Sequence, residues 1–511
     1  MPEYMYTFDL GTTGVKAGVL TPEGDLLDTS YREYGVVHPH PQWVEQSVAT
    51  MWEAQCEAAR ELNERSGIDP GDVAAIAVSS QRATFVPVDK DGLALTRLIG
   101  WQDKRSIDQC ERMREIVGSE RYYSIAGLPI EPTAAVSKIL WLKDNQPDLF
   151  ERTKTFASTQ NLHLQQMGVE NAPCDLPNAA YMGLLDVDEL RWSAELLDLL
   201  DIPEEKMPEL APSGRIVGEL SKEAAEATGL RAGIPVATAG GDLQCAGLGM
   251  GVAAPGVISV GIGTGGGILT YLERPLRCPG GALNCLPHAV EGAWEMEGIC
   301  LASGAAFKWY RDVLGQAEKH EADKLGVEPY DILNDQAAQA PPGSGGLLVM
   351  PSLVGAGAPN WYPKARGAIL GLTLSSDKKA LTRAMLEGIC LEIRWMLESV
   401  RELGTQIDEI RIWGGAAKSG VWNQIAVDVY GIPATKTAVP EAGLVGAAIC
   451  AGVGAGIFSD AREGVQAMIR VEGSYEPNPT LRSLYDEMFE MYKTVYRALV
   501  NSGFFERVAK L

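Results

Sequence analysis

No Gly-Lys dipeptide occurs in the 511-residue sequence, which excludes a Walker-type phosphate loop, where a lysine directly follows the last glycine. The nine cysteines (56, 110, 174, 245, 278, 285, 300, 390 and 450) are odd in number, scattered and never spaced as CxxC. They suggest neither a disulfide framework nor a zinc site, and the inventory is that of a reduced, cytoplasmic protein. Positive charge is also short. With 44 Lys and Arg against 67 Asp and Glu the formal net charge is -23, which argues against nucleic acid or an anionic membrane as partner. An anionic ligand must then be held locally, by backbone N–H groups, a metal or single basic side chains. The N-terminus, MPEYMYTFDL, lacks the basic region and apolar run of a signal peptide. The most apolar window, AGLVGAAICAGVGAGIF (442–458), is too short for a membrane span and predicts a buried helix.

What is present reads as α/β. The length predicts two domains, divided near GLGMGVAAPGV (247–257) into 1–250 and 251–511. An opening hairpin with a TPEGD turn (21–25) is followed by SVATMWEAQCEAARELNERSG (47–67), a helix with a Ser cap and a Gly stop. VAAIAVSS (73–80) reads as a buried strand, and TFVPVDKDGLAL (84–95) as a hairpin around its DG turn. Strands alternating with helical patterns point to an α/β architecture.

A weak internal repeat organises the chain: FDLGTTGVKAGVL (8–20) is echoed by VGIGTGGGILTYL (260–272), each a strand, a Gly-Thr turn and a strand. Such turns let backbone N–H groups converge on phosphate oxygens, because glycine has no Cβ to block the approach. Gly11 aligns with Gly263 and Thr12 with Thr264, but Asp9 aligns with Gly261, so only the first copy carries a carboxylate. GIGTGG (261–266) also satisfies GxGxxG, yet the continuation ILTYLERPLRC is strand-like, which disfavours a dinucleotide fold. In GIPVATAGGDLQCAGLGMG (233–251) a strand and a Gly-Gly turn deliver Asp242 to a helix N-terminus, as a helix cap or as a general base within reach of a substrate hydroxyl. RIWGGAAKSGVWNQIAVDVYGIP (411–433) is a strand, a Gly-Gly-Ala turn and a helix, a shape against which a flat ring can lie. His38 and His40, between alternating prolines, read as an exposed extended segment rather than metal ligands.

Taken together, FDLGTTGVKAGVL, HPHPQWVEQ, IGWQDKR, KILWLKDN, AGGDLQCA, GIGTGGG, SLVGAGAPNWYPKARGAILGL with RAMLEG (383–388), and IWGGAAKSGVWNQIAVDVYG resemble the FGGY family of carbohydrate kinases, in family order over nearly the whole chain. The resemblance implies two actin/hexokinase-like (ribonuclease H-like) domains flanking a deep cleft, and ATP-dependent phosphorylation of a sugar or polyol hydroxyl with Mg²⁺. It implies that Asp9 faces the metal, and that Gly11, Thr12, Thr13 and Lys16, with Gly263, Thr264 and Gly265, face the nucleotide phosphates. Asp242 matches the catalytic base. Gly304, Lys308, Gly415, Ala416 and Ser419 match the adenosine site. A homodimer stays open, since oligomeric state is not legible here.

Gln81 and Arg82 directly follow a buried strand, where side chains of α/β folds open into a ligand site. Glycerol kinases carry Gln-Arg-Glu where this chain has Gln81, Arg82 and Ala83, and Asp-Gln where it has Asp242 and Leu243. Trp101, Asp103 and Arg105 form a WxDxR pattern similar to that of xylulose and related ketose kinases, and the C-terminal helix (481–500) is also similar to theirs. A ketopentose is therefore the first expectation for the acceptor, with Gln81, Arg82, Trp101, Asp103 and Asp242 as its contacts. Glycerol or another short polyol, an autoinducer, a sugar acid or a tetritol are the alternatives, and an ATP- and sugar-binding sensor is the non-enzymatic one. The bland reading of Trp101 and Arg105 is that they hold a loop in place.

Overall fold

The computed structural model describes residues 4–509. Its backbone gathers into two compact units: residues 4–254 with 271–295 and 441–470, and residues 255–270 with 296–440 and 471–509.

In the first unit β1 (Tyr4–Leu10), β2 (Gly14–Leu20) and β3 (Leu26–Glu33) form an antiparallel meander. Helix α1 (Val48–Ser66) follows, with Ser47 accepting from Thr50 N and Gly67 ending it in the left-handed region at φ 64. Next come β4 (Val73–Ser80), β5 (Ile216–Glu219) and β6 (Pro235–Gly241). The sheet order is β5-β6-β4-β1-β2-β3, with β6, β4 and β1 mutually parallel and β5 antiparallel to β6. Helix α2 (Asp242–Gly249) leaves the end of β6.

Six strands of the second unit repeat this plan. β7 (Gly256–Ile262) and β8 (Gly266–Thr270) form the hairpin, and β9 (Trp294–Cys300) adds antiparallel to β8. Helix α3 (Gly304–Val313) follows, then the buried helix α4 (Lys378–Glu402). β10 (Ile407–Trp413) lies parallel to β7, a helix α5 (Gly420–Tyr430) leads to β11 (Ala434–Thr437), parallel to β10, and β12 (Val471–Tyr475) closes antiparallel to β11. The order β9-β8-β7-β10-β11-β12 matches β3-β2-β1-β4-β6-β5 strand for strand and sense for sense.

Both hairpins occupy the places the repeat predicts, and residues 261–266 turn from strand to strand with no helix opening there. The window 442–458 forms a buried helix α6 (Ala442–Gly454) of the first unit, packed on β1, β4 and β6. Its glycines explain its composition. A Cβ on Gly446 would lie 1.9 Å from the Cys245 carbonyl oxygen, and one on Gly249 2.0 Å from that of Ala442, so α2 and α6 meet backbone to backbone. Among the described residues no helix is long and apolar enough to cross a membrane. The C-terminal helix runs Arg482–Asn501.

The hairpin expected over 84–95 forms only as a short reversal around its DG turn. The DG turn closes an antiparallel bridge between Val88 and Ala94, with Asp89 N donating to Leu93 O at 3.0 Å and Leu95 N to Pro87 O at 2.9 Å, while Phe85–Val88 pairs over four residues with Thr155–Ser158. The distant strand buries Phe85 against Phe156, which the exposed turn residues cannot match.

Candidate active site

The first-unit site is built at the carboxyl ends of three adjacent parallel strands, the usual place for ligand groups in an α/β sheet. β1 carries Asp9 one residue before its end, β4 runs out into Gln81 and Arg82, and β6 hands over to Asp242. Asp9 is half-buried and accepts from Ser79 Oγ at 3.1 Å through Oδ1. Its Oδ2 faces the first turn of α6, where a Cβ on Gly443 would lie 2.8 Å away. Burial, reinforced by the charge of Asp242, pushes the Asp9 carboxyl up to about 6; Ser79 and Lys16 oppose the rise and Glu441 adds to it. Lys16, opposite Asp9 in the hairpin register, is ion-paired with Glu441 at the head of α6.

Asp242 occupies the first position of α2, with Gly241 as the flanking cap residue, and its Oδ1 accepts from the Leu243 backbone N–H at 2.8 Å. Asp242 thus satisfies a first-turn N–H of α2, as the helix-cap reading expects, and is still open to solvent. Its side chain keeps 41% exposure, and Oδ1 lies 3.4 Å from Arg82 Nε. Arg82 is almost buried, its guanidinium carbon 4.2 Å from the centroid of the Tyr181 ring. The second glycine of the Gly-Gly turn makes room for this arginine: a Cβ on Gly241 would sit 2.3 Å from Arg82 Cδ. The site thus holds one exposed carboxylate beside a stacked guanidinium, and a second carboxylate with a raised proton affinity.

The hairpin turn is fastened from behind. Tyr34 OH donates to the Gly11 carbonyl, Gln46 Nε2 to that of Thr12 at 2.7 Å, and Tyr34 N and Gly35 N to that of Thr13 at 3.0 and 3.2 Å. Trp101 Nε1 donates to Thr12 Oγ at 3.0 Å. Asp103 has no exposed surface; it accepts from Val44 N and from the backbone and guanidinium of Arg105 at 2.7–2.9 Å. Arg105 also reaches Glu45 at 2.8 Å and stacks on Trp43, 3.9 Å from its ring centroid. These two residues hold the Trp101 loop against the 43–46 segment, and the Asp103 carboxylate has no face left for a ligand.

In the second unit the β7-β8 turn is open. Gly263 and Thr264 are exposed, Gly263 N donates to Gly265 O at 2.8 Å, and Gly304 N and Ala305 N donate to the Gly263 and Thr264 carbonyls at 2.8 and 2.9 Å. Gly304 permits this, since a Cβ there would lie 2.2 Å from the Gly263 carbonyl oxygen. The Gly414–Gly415 turn follows β10: Gly414 has φ 87 and abuts Ile262, while around Gly415 there is nothing within 4 Å of where a Cβ would be. Ala416 is buried, and Ser419 caps α5 by accepting from Trp422 N at 3.2 Å. Lys308 lies on the exposed side of α3, its ammonium 2.7 Å from Asp312 one turn on.

The sequence did not single out Gln46, Ser79, Tyr34, Tyr181 or Glu441. Ser79 had a readable signal, a hydroxyl at the end of an otherwise apolar strand; Glu441 had none, standing 425 positions from the lysine it meets. Among the described residues no group of three or more His, Cys, Asp or Glu could hold a metal ion by itself. A hard cation that keeps waters and takes phosphate oxygens needs only one or two carboxylates, and Asp9, with Oδ2 uncommitted and its charge disfavoured, fits such an ion.

Comparison with known proteins places this geometry. The model described as the FGGY family of carbohydrate kinases, N-terminal domain, matches residues 4–249, and its C-terminal-domain counterpart matches residues 258–455. A glycerol kinase of Thermus brockianus is 33% identical over 469 residues, covering 89% of this chain and 91% of its own. An autoinducer-2 kinase of Salmonella paratyphi B is 29% identical over 512 residues, covering 98% and 96%. The ligand-bound xylulose kinase of Lactobacillus acidophilus superposes with a TM-score of 0.90 at 25% identity, over 97% of this chain and 98% of the other.

Proposed function

Since the chain belongs to the FGGY family of carbohydrate kinases, phosphotransferases that use ATP and a small-molecule alcohol acceptor, we propose that it phosphorylates a ketopentose such as xylulose, with Asp242 as general base. The observation that carries this reading is the Arg82–Asp242 pair: an exposed carboxylate at the end of a parallel strand, steered by a guanidinium that is itself locked on Tyr181.

Phosphoryl transfer asks the protein mainly to orient the attacking oxygen and to offset developing charge. In this reading Asp242 accepts the proton of the attacking hydroxyl as the new O–P bond forms and the bond to the ADP oxygen breaks. Arg82 orients that carboxylate. Each hairpin turn would offer N–H groups to phosphate oxygens, from Thr12 and Thr13 in the first unit and from Thr264 and Gly265 in the second, while Gly11 N and Gly263 N brace the turns by donating to Gly14 O and Gly265 O; Lys16 lies opposite Asp9 in the first hairpin. Mg²⁺ would be held by Asp9, where it would neutralise phosphate charge. The adenine and ribose would lie against Gly304, Gly415, Ala416 and Ser419, and Lys308 would join them on leaving Asp312. Asp103 acts through Arg105 and the Trp101 loop.

The choice of acceptor rests on the Gln81-Arg82-Ala83 end of β4. Ala83 is buried in an apolar cluster with Phe85 and Ile99, so it offers the acceptor no carboxylate. The acceptor then meets Arg82 and Trp101, while the buried Gln81 side chain is committed to Gln46, and nothing there demands a short triol. The experiment is ADP release with ATP and Mg²⁺ across glycerol, tetritols, pentitols, 2-ketopentoses, hexoses, sugar acids and a diketone autoinducer, with Asp242→Asn as the blank. A response confined to a 2-ketopentose is expected; a preference for glycerol or the autoinducer would overturn the acceptor, and silence throughout would overturn the enzymatic reading.

A further inference from the structure

A row of side-chain amides stands behind the first phosphate turn. Gln46 and Gln81 are each 1% exposed. Gln46 Nε2 donates to the Thr12 carbonyl at 2.7 Å, and Gln81 Nε2 donates to Gln46 Oε1 at 2.6 Å. The polarity of the row follows from its end. A backbone carbonyl can only accept, so Thr12 fixes Gln46 with its nitrogen inward; Gln46 must then present oxygen to Gln81, which fixes the second amide in turn. The Gln81 backbone N–H is bound as well, to the Leu10 carbonyl at 2.8 Å, so both ends of this residue report on the strand that leads into the turn.

A trans peptide plane carries its C=O and the following N–H on opposite sides. Anchoring the Thr12 carbonyl on Gln46 therefore aims the Thr13 N–H away from Gln46. Tyr34, which donates to the Gly11 carbonyl, does the same for the Thr12 N–H. Gln46 is thus the group that orients one of the donors offered to phosphate, and Gln81 binds that orientation to the end of β4, from which Arg82 reaches the base.

We infer that Gln46 is a positioning residue for phosphoryl transfer, acting through the Thr12–Thr13 peptide and coupled by Gln81 to the acceptor. This rests on the kinase reading above. It touches neither substrate, so its loss should appear in turnover rather than in acceptor binding.

The test is steady-state ADP release by the full chain, with Mg²⁺, ATP and whichever panel compound gives the highest wild-type rate. Gln46→Met keeps the length and loses both polar ends; a freed Thr12–Thr13 peptide is expected to lower kcat by ~10- to 100-fold, the cost of misplacing a group by a fraction of an ångström to about one, with KM for the acceptor within about threefold. Adding Gln81→Met to that background should lower kcat by less than about threefold more, because the two amides act as one unit. Gln46→His, whose neutral ring also carries one donor and one acceptor, should keep at least about a third of wild-type kcat. A Gln46→Met kcat within about threefold of wild type, multiplicative losses in the double variant, or a His variant as slow as Met would each overturn the inference; if Met does not fold, the His arm decides. Wild-type silence across the panel would instead sink the kinase reading, and this inference with it.

Discussion

Gly443→Ala separates catalysis from stability more cleanly than removal of a charged group. Gly443 is the second residue of α6, in ordinary helical conformation, so alanine should help the helix by roughly 0.5–1 kcal/mol. The new Cβ, however, would sit 2.8 Å from Asp9 Oδ2, 3.2 Å from Cγ and 3.7 Å from Oδ1. Ordinary carbon–oxygen contact begins near 3.4 Å, so the carboxylate must retreat by 3.4 − 2.8, about 0.6 Å. A displacement of about 1 Å in a phosphoryl-transfer site costs ~10²-fold, so a loss of ~10-fold in kcat is expected, with a higher Mg²⁺ requirement. The assay is ADP release over a Mg²⁺ titration, beside a thermal melt. A variant with wild-type rate and Mg²⁺ dependence would refute the placement of Asp9 at the metal. A slow variant with a lowered Tm would mean that α6 had moved instead, and the local reasoning would fail.

Asp242→Asn should leave nucleotide affinity within a few fold and lower turnover by ~10²-fold or more, as for a lost general base; near-normal turnover would remove it from the mechanism. The Asp9 carboxyl, pushed up to about 6 by burial and by Asp242, must ionise to receive a cation, so kcat/KM for ATP should fall as pH drops through about 6 and level off above it; a flat profile between pH 5 and 7 would contradict the role. In the second unit Glu392, buried beside Cys300, is pushed up to about 7 by desolvation. The stability of its neutral form is complete below about 4.5 and is lost as pH rises through about 7, so Glu392→Gln should gain in Tm over wild type between pH 5 and pH 8; an unchanged gap would show that the carboxyl stays solvated.

The repeat was legible in the sequence because each hairpin is a local object, an apolar strand, a Gly-Thr turn and a second apolar strand, whose signal needs no distant partner. Asp242 was legible for the same reason, standing where a strand meets a helix. The reversal over 84–95 was legible from its DG turn, but the longer pairing of Phe85–Val88 with Thr155–Ser158 was not, because that partner lies about seventy residues away. Asp103 was visible as a polar residue in a WxDxR pattern, but its commitment to Val44 and Arg105 depends on a segment sixty residues upstream. The amide row of Gln46 and Gln81 and the contact of Lys16 with Glu441 join loops that no spacing rule connects.

The backbone contact between α2 and α6 has a consequence for biogenesis. The helix that carries Asp242 rests on glycine-lined backbone supplied by residues 442–454, and that second helix, α6, covers one face of the sheet that carries Asp9. A nascent chain that has emerged only as far as residue 254 has made every strand of the first sheet, yet that face is still bare of α6. Its Gly and Ala floor admits no bulky substitute. Synthesis must pass residue 454 before the first unit can close, so a truncated product ending anywhere between the two helices presents apolar sheet surface to chaperones and proteases rather than a dormant half-enzyme.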